Sequence, residues 1–439
     1  MKGRRVLGFL LLTFFLIFML SGCYDSIEVD DLAYVIAIGV DKGTVDMVKV
    51  TLQFALPLAM GTGGEGGGGG GGGGESEENK TVYNLTIDAP SILTGISMAN
   101  NIVSKQINLS HTKIIVFSEE MAREGIGNYI VRLSSMRQLR PNTAVYVTRS
   151  SAEEFLKAVT PQLSTNTAKY YEQGVLVHER IGATANTQLH SFSAASRSLG
   201  AQPVVTLAGI NRYETSADFK IPKDDASMGE DNNINHLEYK AGEIPRAAKN
   251  KAEVRGLAVF RGGKMIGELS GLETIFYMMV TGELRYNNIT LQDPHDSNNY
   301  VVLNVKKSRN PVHSVEIVDG KPLIGVKILL EADISAIGSE MDYQEPEKAS
   351  ILEKECEKYI KREIESLLYK TSKEFNTDIF GFGNKIAGKF ATWEEWEKFG
   401  WLQKYKDTSF SVEVDLVIRR PGLTVKSIPI ISSEGAEGK

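Results

Sequence analysis

Cys23 is the residue whose chemistry is easiest to read. It follows Leu20-Ser21-Gly22 at the end of an apolar run from Val6 to Leu20, and Lys2, Arg4 and Arg5 precede that run. A basic start, an apolar middle and a small-residue end are the three regions of a secretory leader. A cysteine directly after Leu-Ser-Gly is the bacterial lipobox pattern. Its thiol receives a diacylglyceryl group, the leader (residues 1–22) is cut away, and Cys23 becomes the new amino terminus. A membrane-spanning helix is the plain alternative, but the run holds about 15 residues where a span needs about 20. Two acyl chains make a stable anchor, at about 0.8 kcal/mol per buried methylene. The sequence thus predicts an extracytoplasmic body held by lipid on Cys23, with no cofactor besides that lipid.

Little other chemistry is spelled out. None of the six histidines (His111, His178, His190, His236, His295 and His313) belongs to an HExxH or another ligand-spaced pair. Asp293-Pro294-His295-Asp296 has metal-ligand residue types, but a polar loop of this kind is ordinarily just solvated, and no metal is expected. No Gly-x-Ser-x-Gly is present, and the carboxylates are scattered, so neither a nucleophile nor a catalytic acid–base pair can be picked out. An enzyme is not expected.

The formal charge is −6, and losing Lys2, Arg4 and Arg5 with the leader makes the body more acidic still. An acidic chain without a basic block argues against nucleic acid and against electrostatic docking on anionic lipid. With Cys23 acylated, only Cys356 remains, so no intramolecular disulfide can form.

These residues must be positioned by several domains, since 439 residues suffice for two or three cores. Ala33–Val40 and Lys113–Phe117 read as buried strands, as do Thr143–Val147 and Val204–Ile210. Helical spacing fills Ser91–Ile107 and, with a break at Gly125-Ile126-Gly127, Glu119–Met136, and Ser151-x-x-Glu154 is a capping box opening a further helix. Alternation of this kind predicts an α/β domain over residues 23–210. Within it, residues 60–79 hold nine consecutive glycines, Gly66–Gly74, with nothing to bury; they read as a disordered loop between two paired strands. No Gly-Lys-Ser/Thr follows, so this is not a phosphate loop.

A middle domain is expected at residues 211–285, with a polar linker at 216–246 and a β-hairpin at 253–269 turning at Arg261-Gly262-Gly263. Residues 286–425 read as an α+β domain. Three β-rich segments, Val301–Lys307, Val312–Val318 and Leu323–Ala332, precede a long helix starting at Pro346, and a final strand spans Phe410–Ile418. The helix carries Leu352, Cys356, Tyr359, Ile360, Ile364, Leu367 and Leu368 on one face and a Glu357–Lys361 pair on the other. It should cover one face of an antiparallel sheet. Residues 426–439 form a tail. The fold class expected is mixed α+β and α/β, in three domains.

Several strings resemble one known family. Tyr24-Asp25-Ser26-Ile27-Glu28, Asp31-Leu32-Ala33 and Ile38-Gly39-Val40-Asp41 are similar to the segment after the lipobox in the C-subunit lipoproteins of spore germination receptors, the Ger(x)C group. There a tryptophan stands in place of Tyr24 and an isoleucine in place of Val40. His111-x-Lys113 with the following Ile-Ile-Val-Phe-Ser-Glu-Glu, Gly256 to Gly267, Asp378-Ile-Phe-Gly-Phe-Gly383, Trp393 with Trp396, and Arg419-Arg420-x-Gly422 also look like that group, in its order. The resemblance implies a three-domain lipoprotein on the spore inner membrane. It would act with two integral-membrane receptor subunits that sense nutrient germinants and trigger ion release. It carries over no catalytic or ligand-binding residue, only Cys23. A free-standing solute-binding lipoprotein is the alternative; it should show two similar α/β lobes. A cell-wall hydrolase, a third class, should show a metal or nucleophile set.

The aromatic residues in these strings are the candidate partner contacts: Phe380, Phe382, Trp393, Trp396 and Trp401. The glycines beside Phe380 and Phe382 suit either a tight turn with both rings buried or a contact loop. Thr392-x-x-Glu395 opens a short helix, and its indoles read first as core, although three within residues 393–401 are hard to bury together, which leaves one exposed anchor as the alternative.

Overall fold

A computed structural model describes residues 28–56, 81–164, 166–180, 182, 184–219, 239–339 and 341–420, with residues 3, 7–10 and 13–15 of the N-terminal apolar stretch. Cys23, the glycine-rich segment 60–79 and the tail 426–439 lie outside the described residues, as do residues 220–238 of the expected linker.

The expected first buried strand is β1 (Leu32–Lys42), buried continuously from Val35 to Asp41. A strand covered on both faces needs such an uninterrupted apolar run. β1 lies in the middle of a nine-stranded sheet. On one side it pairs antiparallel with β2 (Val48–Ala55), which pairs with β3 (Val82–Ala89) at the sheet edge. On the other it pairs parallel with β4 (Gln106–Asn108) at its start and with β5 (Ile114–Ser118) further along. β6 (Ala144–Thr148) and β7 (Val204–Ile210) continue the parallel set. One face is covered by α1 (Ile92–Ala99), α2 (Glu119–Glu124), α3 (Gly127–Ser134) and, further along the chain, Leu189–Ala195, whose Leu189 and Phe192 join Ile96, Met121 and Ile130 in one core. α4 (Ala152–Ala158) and α5 (Thr167–Arg180) lie on the other, with Phe155, Leu156 and Tyr171 packed on Ile36 and Val116. The helix Leu189–Ala195 is α6.

Two expectations are corrected in this half. The helix read over Ser91–Ile107 ends at Ala99. The Asn100 side chain donates to Ile96 O and accepts from Ile107 N at 3.0 Å, so it closes the helix and starts β4. The boundary read near residue 210 does not end the sheet: β8 (Ala252–Arg261) pairs antiparallel with β7 and with β9 (Lys264–Leu269). The hairpin assigned to a middle unit is thus built into the N-terminal sheet. The described flanks of the linker are held by the buried Glu253 carboxylate, which accepts from Gly242 N, Ile244 N, Asn211 Nδ2 and Arg246 Nε.

α7 (Gly271–Thr281), capped by Ser270 and Glu273, joins this sheet to the next. It is buried nearly all round, sharing one core with Leu257 and Val259 of β8 and with the C-terminal strands. Those are β10 (Tyr286–Asp293), β11 (Asp296–Lys307), β12 (Val312–Val318) and β13 (Lys321–Ile337). β11 and β12 pair antiparallel with successive stretches of β13. β10 was not anticipated: its turn-like Asn287-Asn288 masks the alternation that buries Ile289 and Leu291. α8 (Pro346–Tyr369) buries the seven expected apolar residues against the sheet, and the chain returns as β14 (Ser409–Arg420). β14 joins β13 in parallel, so the otherwise antiparallel sheet ends in one parallel pair, bridged by the helical crossover. Glu357 does not make the expected bond to Lys361: it accepts from Leu416 N at 2.8 Å, and Glu353 accepts from Ile418 N at 2.7 Å. Lys361 faces Glu365 instead.

Candidate functional site: the aromatic junction between the sheets

The Asp378–Gly383 string connects the two sheets. After α8 and a single π turn at Lys370–Glu374, the chain reverses at Asn376 and enters the loop. The Asp378 carboxylate is fully buried and accepts four hydrogen bonds, from Phe380 N, Gly381 N, Gly383 N and Trp401 Nε1, all at 2.9–3.0 Å. Burial pushes its pKa up to about 6, against these donors, which favour the anion. Gly381 adopts a left-handed conformation (φ 74°) that L side chains rarely take. At Gly383 a Cβ would lie 2.3 Å from Trp401 Cδ1 and 2.6 Å from Gly200 Cα. The short helix α9 (Phe382–Ile386) starts here, so the loop's backbone rests directly on the segment preceding β7.

Further bonds cross the same seam. Gln202 N donates to Asp378 O at 2.7 Å, and the Gln202 side chain accepts from Gly262 N in the β8–β9 turn. Arg261 donates to Phe375 O, and the Phe375 ring lies flat over Gly267 of β9. Lys370 pairs with Glu273 of α7 at 2.5 Å.

Of the five candidate contact residues, the structure draws four inward. Phe382 is fully buried, with its ring 5.2 Å from Phe380 and 5.3 Å from His313 of β12. Phe380 is half-buried against Tyr277 of α7. Trp396, on α10 (Trp393–Phe399), is buried between Phe390 and Phe399. Trp401, on α11 (Trp401–Lys404), is buried against Tyr405. Trp393 stands apart, 67% exposed at the start of α10. His313 donates to Val280 O through Nε2; burial, and then the nearby Lys385 charge, push its pKa down to about 4.

Further motif residues have structural posts. The Asp41 carboxylate, buried at the end of β1, accepts from Ala152 N at 2.7 Å and Glu153 N at 3.1 Å, while Ser151 Oγ accepts from Glu154 N. Asp41 and Ser151 thus divide the exposed N–H groups of α4 between them. Burial raises the Asp41 pKa against those same bonds. His111 sets its ring edge against Tyr34, and Lys113 pairs with Glu172. In the Asp293–Asp296 loop, the Asp293 carboxylate accepts from Ser339 Oγ, Tyr343 OH and His295 N. Among the described residues no group of three or more His, Cys, Asp or Glu could hold a metal ion, and no helix is long and apolar enough to cross a membrane. The role of Asp41 across 111 residues, and that of Glu253, had no local sequence signal.

Comparison with known proteins follows this geometry closely. A family model described as "Spore germination protein N-terminal domain" matches residues 25–210, and one described as "Spore germination B3/ GerAC like, C-terminal" matches residues 255–422. Spore germination protein KC of Bacillus subtilis (strain 168) is 24% identical over 425 residues, spanning 93% of this chain and 94% of that protein. The putative spore germination protein YfkR of the same organism is 22% identical over 412 residues, spanning 93% and 95%. A solved structure, the "Crystal Structure of the GerBC protein", shares the fold, with a TM-score of 0.50 at 17% identity over 87% of this chain and 96% of that one.

Proposed function

From the premise that this chain belongs to the Ger(x)C family, the C-subunit type of spore germination receptor protein, we propose that it is a lipid-anchored, non-enzymatic receptor subunit. It works beside two integral-membrane subunits on the outer face of the spore inner membrane. The carrying observation is the order of parts: Leu20-Ser21-Gly22-Cys23 stands immediately ahead of the first matched residue, 25, and the two family matches then fill the body in sequence. Lipid on Cys23 supplies the attachment. The non-enzymatic reading is supported by how the buried carboxylates are used. Asp41, Glu253, Asp293 and Asp378 each face two or more N–H or O–H donors that fix a helix end, a linker flank, a strand end or the junction loop. The solute-binding alternative expects two similar lobes, whereas a nine-stranded mixed sheet and a five-stranded sheet with one long helix are unlike each other.

The test pairs lipid labelling with partner capture. Wild type should incorporate labelled fatty acid and float with membranes, and Cys23→Ala should lose both. Single-cysteine crosslinkers on the exposed surface of each half should trap the co-expressed membrane subunits. Unlabelled wild type would end the anchor reading; labelled wild type that never crosslinks to a membrane subunit would end the receptor-subunit reading.

A further inference from the structure

We propose that the end of the N-terminal sheet where β1 begins is a bilayer-contacting surface, with Val29, Leu56 and Ile102 resting in the lipid interface. This rests on the lipid anchor proposed for Cys23. The argument starts from reach. Only Tyr24, Asp25, Ser26 and Ile27 separate Cys23 from Glu28, the first described residue of the body. At about 3.3–3.6 Å per residue, even a fully extended tether holds Glu28 within roughly 18 Å of the acylated residue. The whole body therefore approaches the membrane by this end.

Exposed apolar side chains lie at both ends of β1, Val45 and Met47 at the far one, but only those at the near end are within reach of the tether. Val29, 70% exposed, immediately precedes β1. On one side of β1, Phe54 of β2 pairs with Val35, which carries Leu56 past the start of the paired region, and Leu56 N bonds to Thr81 O. On the other side, Ile107 of β4 pairs with Ala33, and the Asn100–Ile107 hydrogen bond folds Ile102, 61% exposed, into the loop just ahead. The three thus lie just beyond the ends of neighbouring strands, at the same end of the sheet. Charges nearby are of both signs, with Asp30 and Asp31 against Lys105, all exposed. The contact is therefore insertion of apolar tips into the interface, as amphipathic surfaces do, rather than docking on anionic headgroups. The opposite end of β1 gives an internal control. The turn after it carries Val45, 91% exposed, and is pinned by Asp88 accepting from Thr44, Val45 and Asp46 N–H groups. Eleven strand residues place it about 35 Å from the tether.

The experiment uses full-length lipidated protein in vesicles of phosphatidylglycerol and phosphatidylethanolamine containing a shallow nitroxide lipid. Ile102→Cys, Val29→Cys and Val45→Cys variants each carry a bimane label; Cys356 is fully buried and does not compete for it. The expected result is flotation of all three, with fluorescence quenched several-fold more at positions 102 and 29 than at 45. Floating protein with equal quenching at all three positions, or with none at 102 and 29, would overturn the proposed surface while leaving the anchor intact. Lipidated protein that does not float would overturn the anchor reading and this surface with it.

Discussion

Asp378 shows how one buried charge can organise a loop. Its four donors are three backbone N–H groups and one indole. Asp378→Asn keeps the shape but turns an amide N–H₂ toward those donors, and bonds to charged groups contribute about 1.5–3 kcal/mol each. Urea unfolding should show Asp378→Asn destabilised by about 2–3 kcal/mol; a variant within 0.5 kcal/mol of wild type, roughly the size of a neutral surface change, would mean the carboxylate is dispensable. His313 gives a pH dependence. Its folded pKa, about 4, lies below its ordinary value of 6.5, so folding favours the neutral ring. That contribution is fully present above about pH 6.5 and is lost as pH falls toward 4. The stability difference between wild type and His313→Gln should shrink over that window, and a difference independent of pH would exclude this role. At this scale the sequence was legible where residues are neighbours, as in Ser151 Oγ capping α4 at Glu154 N, although the Glu154 side chain does not complete the expected box. It was silent where the partner lies far along the chain, as for Asp41 and α4, because no local pattern marks a carboxylate whose donors are 111 residues away.

At the level of elements, periodicity carried most of the information. The α8 stripe was readable to the residue because a helix lying on a sheet must be apolar every three or four positions. β10 was missed because its buried apolar residues are only two, Ile289 and Leu291, and its start looks like a turn. The use of the other α8 face was also hidden. A glutamate four residues before a lysine suggests a surface ion pair, yet Glu353 and Glu357 instead take N–H groups from the outer edge of β14. An uncapped edge of this kind is a template for pairing with another chain. Glu353→Ala/Glu357→Ala is expected to lose about 1–2 kcal/mol, from two hydrogen bonds of ordinary net value. It should also self-associate in light scattering, whereas Glu353→Gln/Glu357→Gln, which keeps the acceptors, stays monodisperse. Equal behaviour of the two double variants would show that the edge needs no cap.

At the scale of the whole molecule, the N-terminal and C-terminal sheets meet along one seam. The seam is narrow in sequence: residues 198–203, 261–267 and 370–384 supply its backbone bonds, its ion pair at Lys370–Glu273 and its ring stacking on glycine. Four of the five candidate contact aromatics sit behind it rather than on the surface, which sequence could not settle because Phe382 and Trp401 are buried by partners far along the chain or in other elements, His313 and Phe410 for the one, Tyr405 and Asp378 for the other. Trp393 alone keeps an exposed ring. Interfaces of this kind usually permit relative motion unless they are apolar and close-packed, and this one is both, since α7 shares a core with each sheet. Wild type should therefore unfold in a single calorimetric transition. Gly383→Ala places a methyl against Trp401 and the Gly200 backbone, neither of which can yield cheaply. Overpacking of that kind costs about 1–3 kcal/mol. The expected result is a lower first melting temperature, a second transition as the two sheets melt apart, and new proteolytic cleavage near Gly200. A Gly383→Ala protein with a single unshifted transition would mean that the sheets are not coupled through this contact, and that α7, which shares a core with both, couples them instead.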